Sequence, residues 1–177
     1  IAELLRRNEV GVAAELPDVL RARLEHGCLT ISSGERPSGL RTRELGVPGT
    51  TVFKETGLTI EAEVVSAGDV PHPVEDLGED AAAFDLERLE SPLFVRGRRP
   101  GDRFRPFGMD GTKSVKQLLI DSKIAVSFRD DVPIVMDRAG ILWIPGFRRS
   151  DRAVIGAATK RALLLRARTR EDEAAAG

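Results

Sequence analysis

The sequence is poor in the residues that build disulfides, metal sites and stacking surfaces. It has one cysteine, two histidines, one tryptophan and no tyrosine. The single Cys28 excludes an internal disulfide and a thiolate metal cage, and its place in the alternating run CLTIS predicts a strand residue. The histidines, His26 and His72, are too far apart in sequence to indicate a zinc site. We therefore predict no metal site, and the absence of tyrosine weakens the case for a broad aromatic surface.

Long apolar runs and catalytic motifs are also missing. No window could span a bilayer and no leader pattern is found, so we expect a cytoplasmic protein. The first residue is Ile1 rather than Met, from which we expect a piece of a longer protein. The Ser-Gly pairs at 33–34 and 38–39 lack the strand, helix and lysine of a phosphate-binding loop. No Ser/His/Asp or Cys/His arrangement is present, so we predict no catalytic residues.

Charge is distributed unevenly along the 177 residues. Residues 1–90 hold nine Lys or Arg and eighteen Asp or Glu, whereas residues 91–170 hold eighteen and seven. The net charges are −9 and +11, and the acidic residues 171–173 complete the total of −1. Such a split is typical of a nucleic-acid-facing half joined to a neutralising half. Two halves that dock on each other by charge are the alternative.

Hydrophobic periodicity predicts an α+β fold that is mainly β, with antiparallel hairpins and two short helices. The hairpins span residues 50–65, where Ile60, Ala62 and Val64 share a face, and residues 132–144. The remaining predictions are strands at 19–24 (or a helix from Asp18), 28–32, 93–96 and 160–170, a helical end at 1–8, a helical turn after Asp85, helices at 114–122 and 126–131, and an exposed, mobile acidic connection at 66–82. The domain boundaries predicted are 1–38 for the end of a middle substrate-binding domain, 39–169 for a C-terminal domain and 170–177 for a disordered tail.

Residues 96–121 carry the clearest functional pattern. Their seven cations stand among Gly and Pro turns just before an apolar helix, an arrangement that suits a polyanion. Thr112 or Ser114 is predicted to cap that helix, with Val115, Leu118, Leu119 and Ser122 facing inward. Lys113 and Lys116 would then lie in its first turn and oppose the helix dipole, which favours a bound phosphate. A solvated basic loop is the alternative.

Aromatic and acidic residues in this stretch have structural alternatives. Phe104 and Phe107 alternate with arginines and could stack on unpaired bases, or both could pack beneath the loop. Trp143 is predicted to be a core residue. The nearby acids have structural interpretations: a turn at Asp102, a helix C-terminal contact at Asp121, and partners for Arg129 or Arg148 at Asp130 and Asp131.

The same stretch, extended through residue 146, closely resembles the C-terminal region of bacterial tRNA(Ile)-lysidine synthase. The family pattern joins an Arg-rich strand, Pro-Gly-Asp-Arg and Pro-x-Gly-Met-x-Gly turns, a Lys-bearing helix, an Arg-Asp pair and a Leu-Trp-x-x-Gly strand. The matching residues are Arg96, residues 99–103, Pro106, Gly108, Met109, Gly111, Lys113, Lys116, Asp121, Lys123, Arg129, Asp130, Pro133, Leu142, Trp143 and Gly146. The family often has a second lysine after Lys113, where this chain has Ser114.

The resemblance implies a part of an ATP-dependent ligase that joins lysine to the wobble cytidine of tRNA(Ile). In that family the chemistry belongs to an N-terminal pyrophosphatase-type domain with a Ser-Gly-Gly-x-Asp-Ser loop, which this sequence lacks, so ATP with Mg is assigned to a domain outside it. The implied partners are tRNA(Ile), through its acceptor stem, and the enzyme's own N-terminal domain. The implied tRNA-binding residues are Arg96, Arg98, Arg99, Arg103, Arg105, Thr112, Lys113, Lys116, Lys123 and Arg129. A non-catalytic module that docks on its parent enzyme or forms a homodimer is the alternative.

Overall fold

The computed structural model describes residues 40–71, 74–124 and 126–169, together with the backbone of three short strands between residues 13 and 33. These residues form fourteen strands, one α-helix and four short 3-10 turns. The strands are β1 Ala13–Leu16, β2 Leu20–Glu25, β3 Cys28–Ser33, β4 Arg43–Glu44, β5 Gly49–Phe53, β6 Leu58–Ser66, β7 Ala81–Asp85, β8 Phe94–Gly97, β9 Arg103–Phe104, β10 Lys113–Ser114, β11 Pro133–Asp137, β12 Gly140–Ile144, β13 Arg148–Arg149 and β14 Arg161–Thr169. The helix, α1, is Val115–Asp121.

Strands β1, β2 and β3 form an antiparallel sheet in that order. The strand predictions at 19–24 and 28–32 are confirmed, and the alternative helix from Asp18 is wrong because residues 20–25 pair with both neighbours. The predicted helical end at 1–8 and the tail at 170–177 lie outside the described residues. The domain boundaries stay a prediction.

A four-stranded antiparallel sheet has the order β5-β6-β14-β7. The predicted hairpin of residues 50–65 is confirmed, and Thr51 lies opposite Ile60 in it. Ile60 and Ala62 are buried, as alternation along a half-buried strand requires. Val64 is on the same face by alternation but is 37% exposed, since it lies near the end of the strand. The last strand, β14, is confirmed and pairs with β6 along nine residues.

A five-stranded antiparallel sheet has the order β13-β12-β11-β8-β4. The hairpin predicted at 132–144 is confirmed as β11 and β12, with a bulge between Val135 and Met136. The strand predicted at 93–96 is confirmed as β8.

Asp85 caps the 3-10 turn Leu86–Arg88 by accepting from the Glu87 amide, which confirms the helical turn predicted there.

The buried apolar side chains of the described residues form three clusters. The largest lies between the two sheets and contains Trp143, which confirms its prediction as a core residue. The second lies between the other face of the five-stranded sheet and α1. The third covers the outer face of the four-stranded sheet. Adjacent residues therefore enter different clusters, as Ile134 and Val135 do in β11, because successive strand side chains point to opposite faces.

Helix α1 is held against the sheet by Val115, Leu118 and Leu119, all buried as predicted. Ser114 caps it by accepting from the Gln117 amide (O···N 3.0 Å). Ser122 is exposed, so its prediction as an inward residue is wrong. The second predicted helix is confirmed as the 3-10 helix Val126–Asp131.

The acidic connection at 66–82 contains local structure that the sequence pattern did not predict. It contains the 3-10 turns Ala67–Asp69 and Val74–Leu77. Val70 is buried in the third cluster, and Val74 and Leu77 pack against it. The prediction of exposure is therefore confirmed for charged residues such as Asp69, Glu79 and Asp80 and is wrong for Val70, while mobility stays a prediction.

Candidate nucleic-acid interface

The basic stretch, residues 96–121, joins the five-stranded sheet to α1. It leaves β8, turns through a Gly/Pro loop and forms a two-stranded ribbon of β9 and β10. In this ribbon Ser114 lies opposite Arg103. The Val115 amide donates to the Asp102 carbonyl oxygen (2.9 Å). The loop, the ribbon and the first turn of α1 are therefore one continuous unit.

Arg96 is a structural residue within this unit. It is 7% exposed, and its guanidinium donates two hydrogen bonds of 2.7 Å to the Asp102 carboxylate. Burial alone would raise the pKa of Asp102, but hydrogen bonds from Arg96 and from the Arg99 amide outweigh it and hold that pKa below its ordinary value. The pair ties the end of β8 to the loop. This burial argues against the phosphate contact predicted for Arg96, and we leave it out of the interface.

The next two arginines border a hollow at the end of β8. The hollow has a volume of about 300 Å³. Arg98 is mostly covered and its Nε donates to Asp130 Oδ1 (3.1 Å). Arg99 is exposed and donates to the Thr42 hydroxyl (3.0 Å). Arg99 is therefore the more accessible of the two.

Residues 103–105, which include β9 and the residue after it, alternate between exposed arginine and buried phenylalanine. Phe104 is buried in the second cluster, whereas Arg103 and Arg105 flank it and are exposed. Arg105 forms an ion pair with Asp151 (Nε···Oδ2 2.8 Å). Within the described part of the chain, Arg103 has no hydrogen-bond or ion-pair partner. Residues two apart in an extended chain have Cα atoms about 6.5–7 Å apart and side chains on one face, so Arg103 and Arg105, the residue just after β9, project to the same side.

Lys113 lies in β10, before the Ser114 cap, and not in the first turn of α1 as predicted. Its ammonium pairs with Asp121 (Nζ···Oδ2 2.7 Å), and the side-chain amide of Gln117 donates to the same carboxylate (Nε2···Oδ1 2.7 Å). The hydrogen bond from Lys113 is the largest cause that holds the pKa of Asp121 below its ordinary value. The argument from an unfavourable dipole therefore applies to Lys116 alone.

Three further predicted residues are exposed around α1. Lys116 lies in its first turn and Lys123 lies just beyond its end, with a left-handed backbone (φ 57°). Thr112 precedes β10. Among the described residues, none of the three has a side-chain partner. Arg129, by contrast, is half-buried and donates to the Ile124 carbonyl oxygen (2.8 Å), which holds the segment after α1.

The two candidate stacking rings differ. Phe104 is 5% exposed, and this burial argues against its stacking on a base. Phe107 is half-buried and one of its faces is covered by the Arg149 guanidinium, 4.8 Å from the ring centroid. The same guanidinium lies 4.7 Å from the Phe84 ring. Arg149 is therefore held between two rings that belong to different layers of the fold.

Sequence reasoning missed Arg148 as an interface residue, because it considered Arg148 only as the partner of an acid. Arg148 is exposed and lines a groove of about 470 Å³ together with Lys113, Asp121 and Phe147. The pair of adjacent arginines at 148–149, just beyond the Pro-Gly that follows the apolar strand β12, was the signal available for it.

The acids of this region make structural contacts, but two of them have partners other than those predicted. Asp121 contacts Lys113 of β10 as well as Gln117 of its own helix. Asp130 pairs with Arg98, so the prediction of Arg129 or Arg148 as its partner is wrong. Among the described residues, no group of three or more His, Cys, Asp or Glu side chains could hold a metal ion. No helix in the described ranges is long and apolar enough to cross a membrane.

Ion pairs show where the two charged halves meet. Arg161, Arg166 and Arg168 of β14 pair with glutamates of the acidic half. Among the described residues, the acid partners of the predicted interface cations are Asp102, Asp121, Asp130 and Asp151, which all belong to the basic half. The ion pairs between the two halves are therefore made by β14, with glutamates of β6 and of the 3-10 turn Leu86–Arg88.

Comparison with known proteins identifies the family. Residues 93–165 match the family model described as the TilS substrate C-terminal domain. Proteins named tRNA(Ile)-lysidine synthase from Symbiobacterium thermophilum and Caldanaerobacter subterraneus are 32% and 31% identical to the chain. The alignments cover 96% and 85% of this chain but 36% and 32% of those proteins. The chain thus spans about a third of the length of these relatives.

A solved structure agrees with the fold. The crystal structure of a TILS C-terminal domain is 34% identical to the chain, with a TM-score of 0.65. The match covers 73% of this chain and 97% of that one. The mainly antiparallel architecture with one α-helix, as described above, is therefore the architecture of that domain. The chain belongs to the tRNA(Ile)-lysidine synthase family and contains its C-terminal domain.

Proposed function

We propose that this chain is the part of a tRNA(Ile)-lysidine synthase that holds tRNA(Ile), by its acceptor stem. The observation that carries the proposal is the set of exposed cations on the β9–β10 ribbon and around α1, in a chain of this family. Guanidinium groups fork onto phosphate oxygens and ammonium groups supply point charges, so such a set suits an RNA backbone. A double-stranded RNA is recognised mostly by shape and by phosphate contacts, which fits a stem.

The proposed interface is centred on Arg103, which is exposed and has no side-chain partner in the described ranges. Arg105 shares its side of the ribbon. The remaining members are Arg98, Arg99, Thr112, Lys113, Lys116, Lys123 and Arg148. Phe107 is a secondary member of the interface, because Arg149 covers one face of its ring and leaves at most the other face to stack on a base.

The proposal assigns the chemistry to another part of the enzyme. In it, lysine is joined to the wobble cytidine of tRNA(Ile) with ATP and Mg in the N-terminal domain, and the present chain positions the tRNA for that domain. A tRNA-modifying ligase works where tRNA is made and used, so the proposed location is the cytoplasm. A role for this chain in tRNA processing therefore follows from binding, and turnover by this chain alone is not expected.

Filter binding of the purified chain to tRNA(Ile) at several salt concentrations tests the proposal. Log affinity falls with log salt, and each lost phosphate contact makes this fall less steep by about 0.7–0.9. We expect Arg103→Ala with Lys113→Ala to weaken binding and to reduce the slope by about twice that amount, because two phosphates lose their partners.

Arg161→Ala with Arg166→Ala is the matched control for charge. It removes two cations of β14 that are paired with Glu87 and Glu63 and lie outside the basic stretch, so its effect on affinity should be small. Affinity that is indifferent to salt, or an equal loss in the control, would contradict the proposal. Light scattering addresses the alternative, since a tight dimer that hides the basic stretch would support an interaction module instead.

A further inference from the structure

Three cations of the proposed interface are each held by an aspartate. The pairs are Arg98 with Asp130, Arg105 with Asp151 and Lys113 with Asp121. The aspartate side chains are 62%, 32% and 47% exposed, so the pairs meet solvent and an incoming RNA. An interface that only attracted phosphates would leave these cations unpaired.

Asp121 gains little stability for its own helix, because the hydrogen bond from the Gln117 side chain one turn earlier is opposed by the unfavourable interaction of its charge with the helix dipole. It is the last residue of α1, and a carboxylate at a helix C-terminus faces the negative end of the helix dipole. An exposed ion pair with Lys113 adds little to folding. The carboxylate nevertheless receives two hydrogen bonds of 2.7 Å, from Lys113 and Gln117. Its arrangement is therefore better explained by what it does to Lys113 than by stability.

We propose that Asp121 is a specificity-determining residue, an internal anion that occupies Lys113 until a correctly placed RNA phosphate displaces it. The inference rests on the proposed function. Asp121 and Lys113 line the same groove as Arg148 and Glu79, so a phosphate that binds between the two cations lies in the groove that the Asp121 carboxylate also lines. An unrelated polyanion has to displace the carboxylate for a single contact. An RNA that fits the interface displaces it while it also contacts Arg103 and Lys116.

This arrangement weakens all binding, but it weakens poorly matched binding more. Like charges across an interface suppress wrong partners, and a cation fixed in one position suits the ligand that matches that position. When the carboxylate is neutralised, Lys113 is accessible to any phosphate and is also less fixed. The affinity for unrelated RNA should therefore rise more than the affinity for tRNA(Ile).

Asp121→Asn in the purified chain tests the inference against tRNA(Ile) and an unrelated RNA hairpin of the same length. We expect affinity for the unrelated hairpin to rise about two- to fivefold, the size that an exposed ion pair allows. Its salt slope should grow by about 0.7–0.9, one further phosphate contact. Affinity for tRNA(Ile) should change less than twofold, so the ratio of the two affinities falls.

Asp110→Asn is the matched control. Asp110 is exposed in the loop before β10 and has no ion-pair partner in the described ranges, so its change alters the net charge equally without releasing a cation. An equal gain in Asp110→Asn would overturn the inference, because net charge alone would then explain it. An equal fall for both RNAs in Asp121→Asn would also overturn it, since Asp121 would then only position Lys113.

A double variant separates this inference from the proposed function. Adding Lys113→Ala to Asp121→Asn should abolish the gain, because the released ammonium is then absent. If the wild-type chain does not bind tRNA(Ile), the proposed function fails. If the wild type binds with a salt-dependent affinity and Asp121→Asn leaves the affinity ratio unchanged, only the inference about Asp121 fails.

Discussion

Gly97 ends β8 at a position where a side chain has no room. A Cβ built there would lie 2.4 Å from the Asp130 carbonyl oxygen, a backbone atom that cannot turn away. The Gly97 amide also donates to the Leu40 carbonyl oxygen (3.1 Å). Two segments distant in sequence therefore approach the backbone at this residue, and one of them carries Asp130, the partner of Arg98.

We expect Gly97→Ala to lower the free energy of unfolding by about 1–3 kcal/mol, the usual cost of forcing extra atoms into a packed site. Urea denaturation followed by circular dichroism measures it. Gly156→Ala is the control, because no atom lies within 4 Å of a Cβ there. An equal change in the two variants would show that the close approach at Gly97 is not responsible.

Arginines in the basic stretch look alike in the sequence but differ in the fold. Arg96 is buried and Arg103 is exposed, although both stand beside a Gly/Pro loop. The period of two in β9 was sufficient to separate Arg103 from Phe104. The position of Arg96 depends on Asp102, which reaches it only through the loop between them. Sequence patterns therefore predict which face a strand residue occupies, and they do not reveal which charges a loop brings together.

At the scale of elements, α1 depends on its first turn. With seven residues it is too short to be stable alone, so its cap and its packing decide whether it forms. The Ser114 hydroxyl accepts from the Gln117 amide, and the buried Val115 anchors the same turn. The sequence left Thr112 and Ser114 as alternative caps because both can serve chemically.

We expect Ser114→Ala to lower the free energy of unfolding by about 1 kcal/mol, the usual cost of losing a helix cap. Thr112→Ala should leave it unchanged, since Thr112 is exposed and bonds to nothing in the described ranges. Thermal unfolding of both variants provides the comparison. A larger loss of stability in Thr112→Ala than in Ser114→Ala would show that Ser114 is not the residue that caps the helix.

Hairpins were predictable and the acidic connection was not. The strands β5, β6, β11 and β12 alternate with a clear period and end in Gly-containing turns. The connection at 66–82 buries Val70 with no such period, since its 3-10 turns place single residues against the outer face of the four-stranded sheet. A segment that folds by isolated contacts leaves no repeating pattern, and its many charges then indicate exposure.

At the scale of the whole molecule, the Asp137 carboxylate links segments that are distant in sequence. Asp137 is fully buried, receives hydrogen bonds from Arg152 and accepts from the Glu90 amide (3.0 Å). Burial alone would raise the pKa of Asp137, but these hydrogen bonds outweigh it and hold the pKa below its ordinary value of 3.8. Asp102 behaves in the same way with Arg96.

These depressed pKa values predict acid sensitivity. Below the ordinary pKa the unfolded chain takes up protons that the folded chain does not, so the stabilisation is complete above about pH 4 and is lost as pH falls through the folded-state pKa. Urea unfolding between pH 7 and pH 2.5 should show this decline. Asp137→Asn should be less stable at pH 7 and decline less steeply below pH 4; an unchanged slope would contradict the assignment.

The charge asymmetry of the sequence led to two predictions: ion pairs between the two halves, which are observed on β14, and a nucleic-acid-facing half, which stays a prediction. Among the described residues, the ion pairs of the basic stretch are with acids of the basic half, whereas the arginines of β14 take glutamates from residues 1–90. Composition could not show which cations would do which, because the pairing of β14 with β6 decides it.

The central place of β14 also fixes when this protein can finish folding. During synthesis the chain emerges from its N-terminus, so β5, β6 and β7 leave the ribosome well before their common neighbour. Strand β14 lies between β6 and β7 and brings Leu163 and Leu165 to one apolar cluster and Leu164 to another. The four-stranded sheet therefore cannot close until residues 161–169 have been translated and released, and a nascent chain stalled before them would expose both unfilled clusters to chaperones.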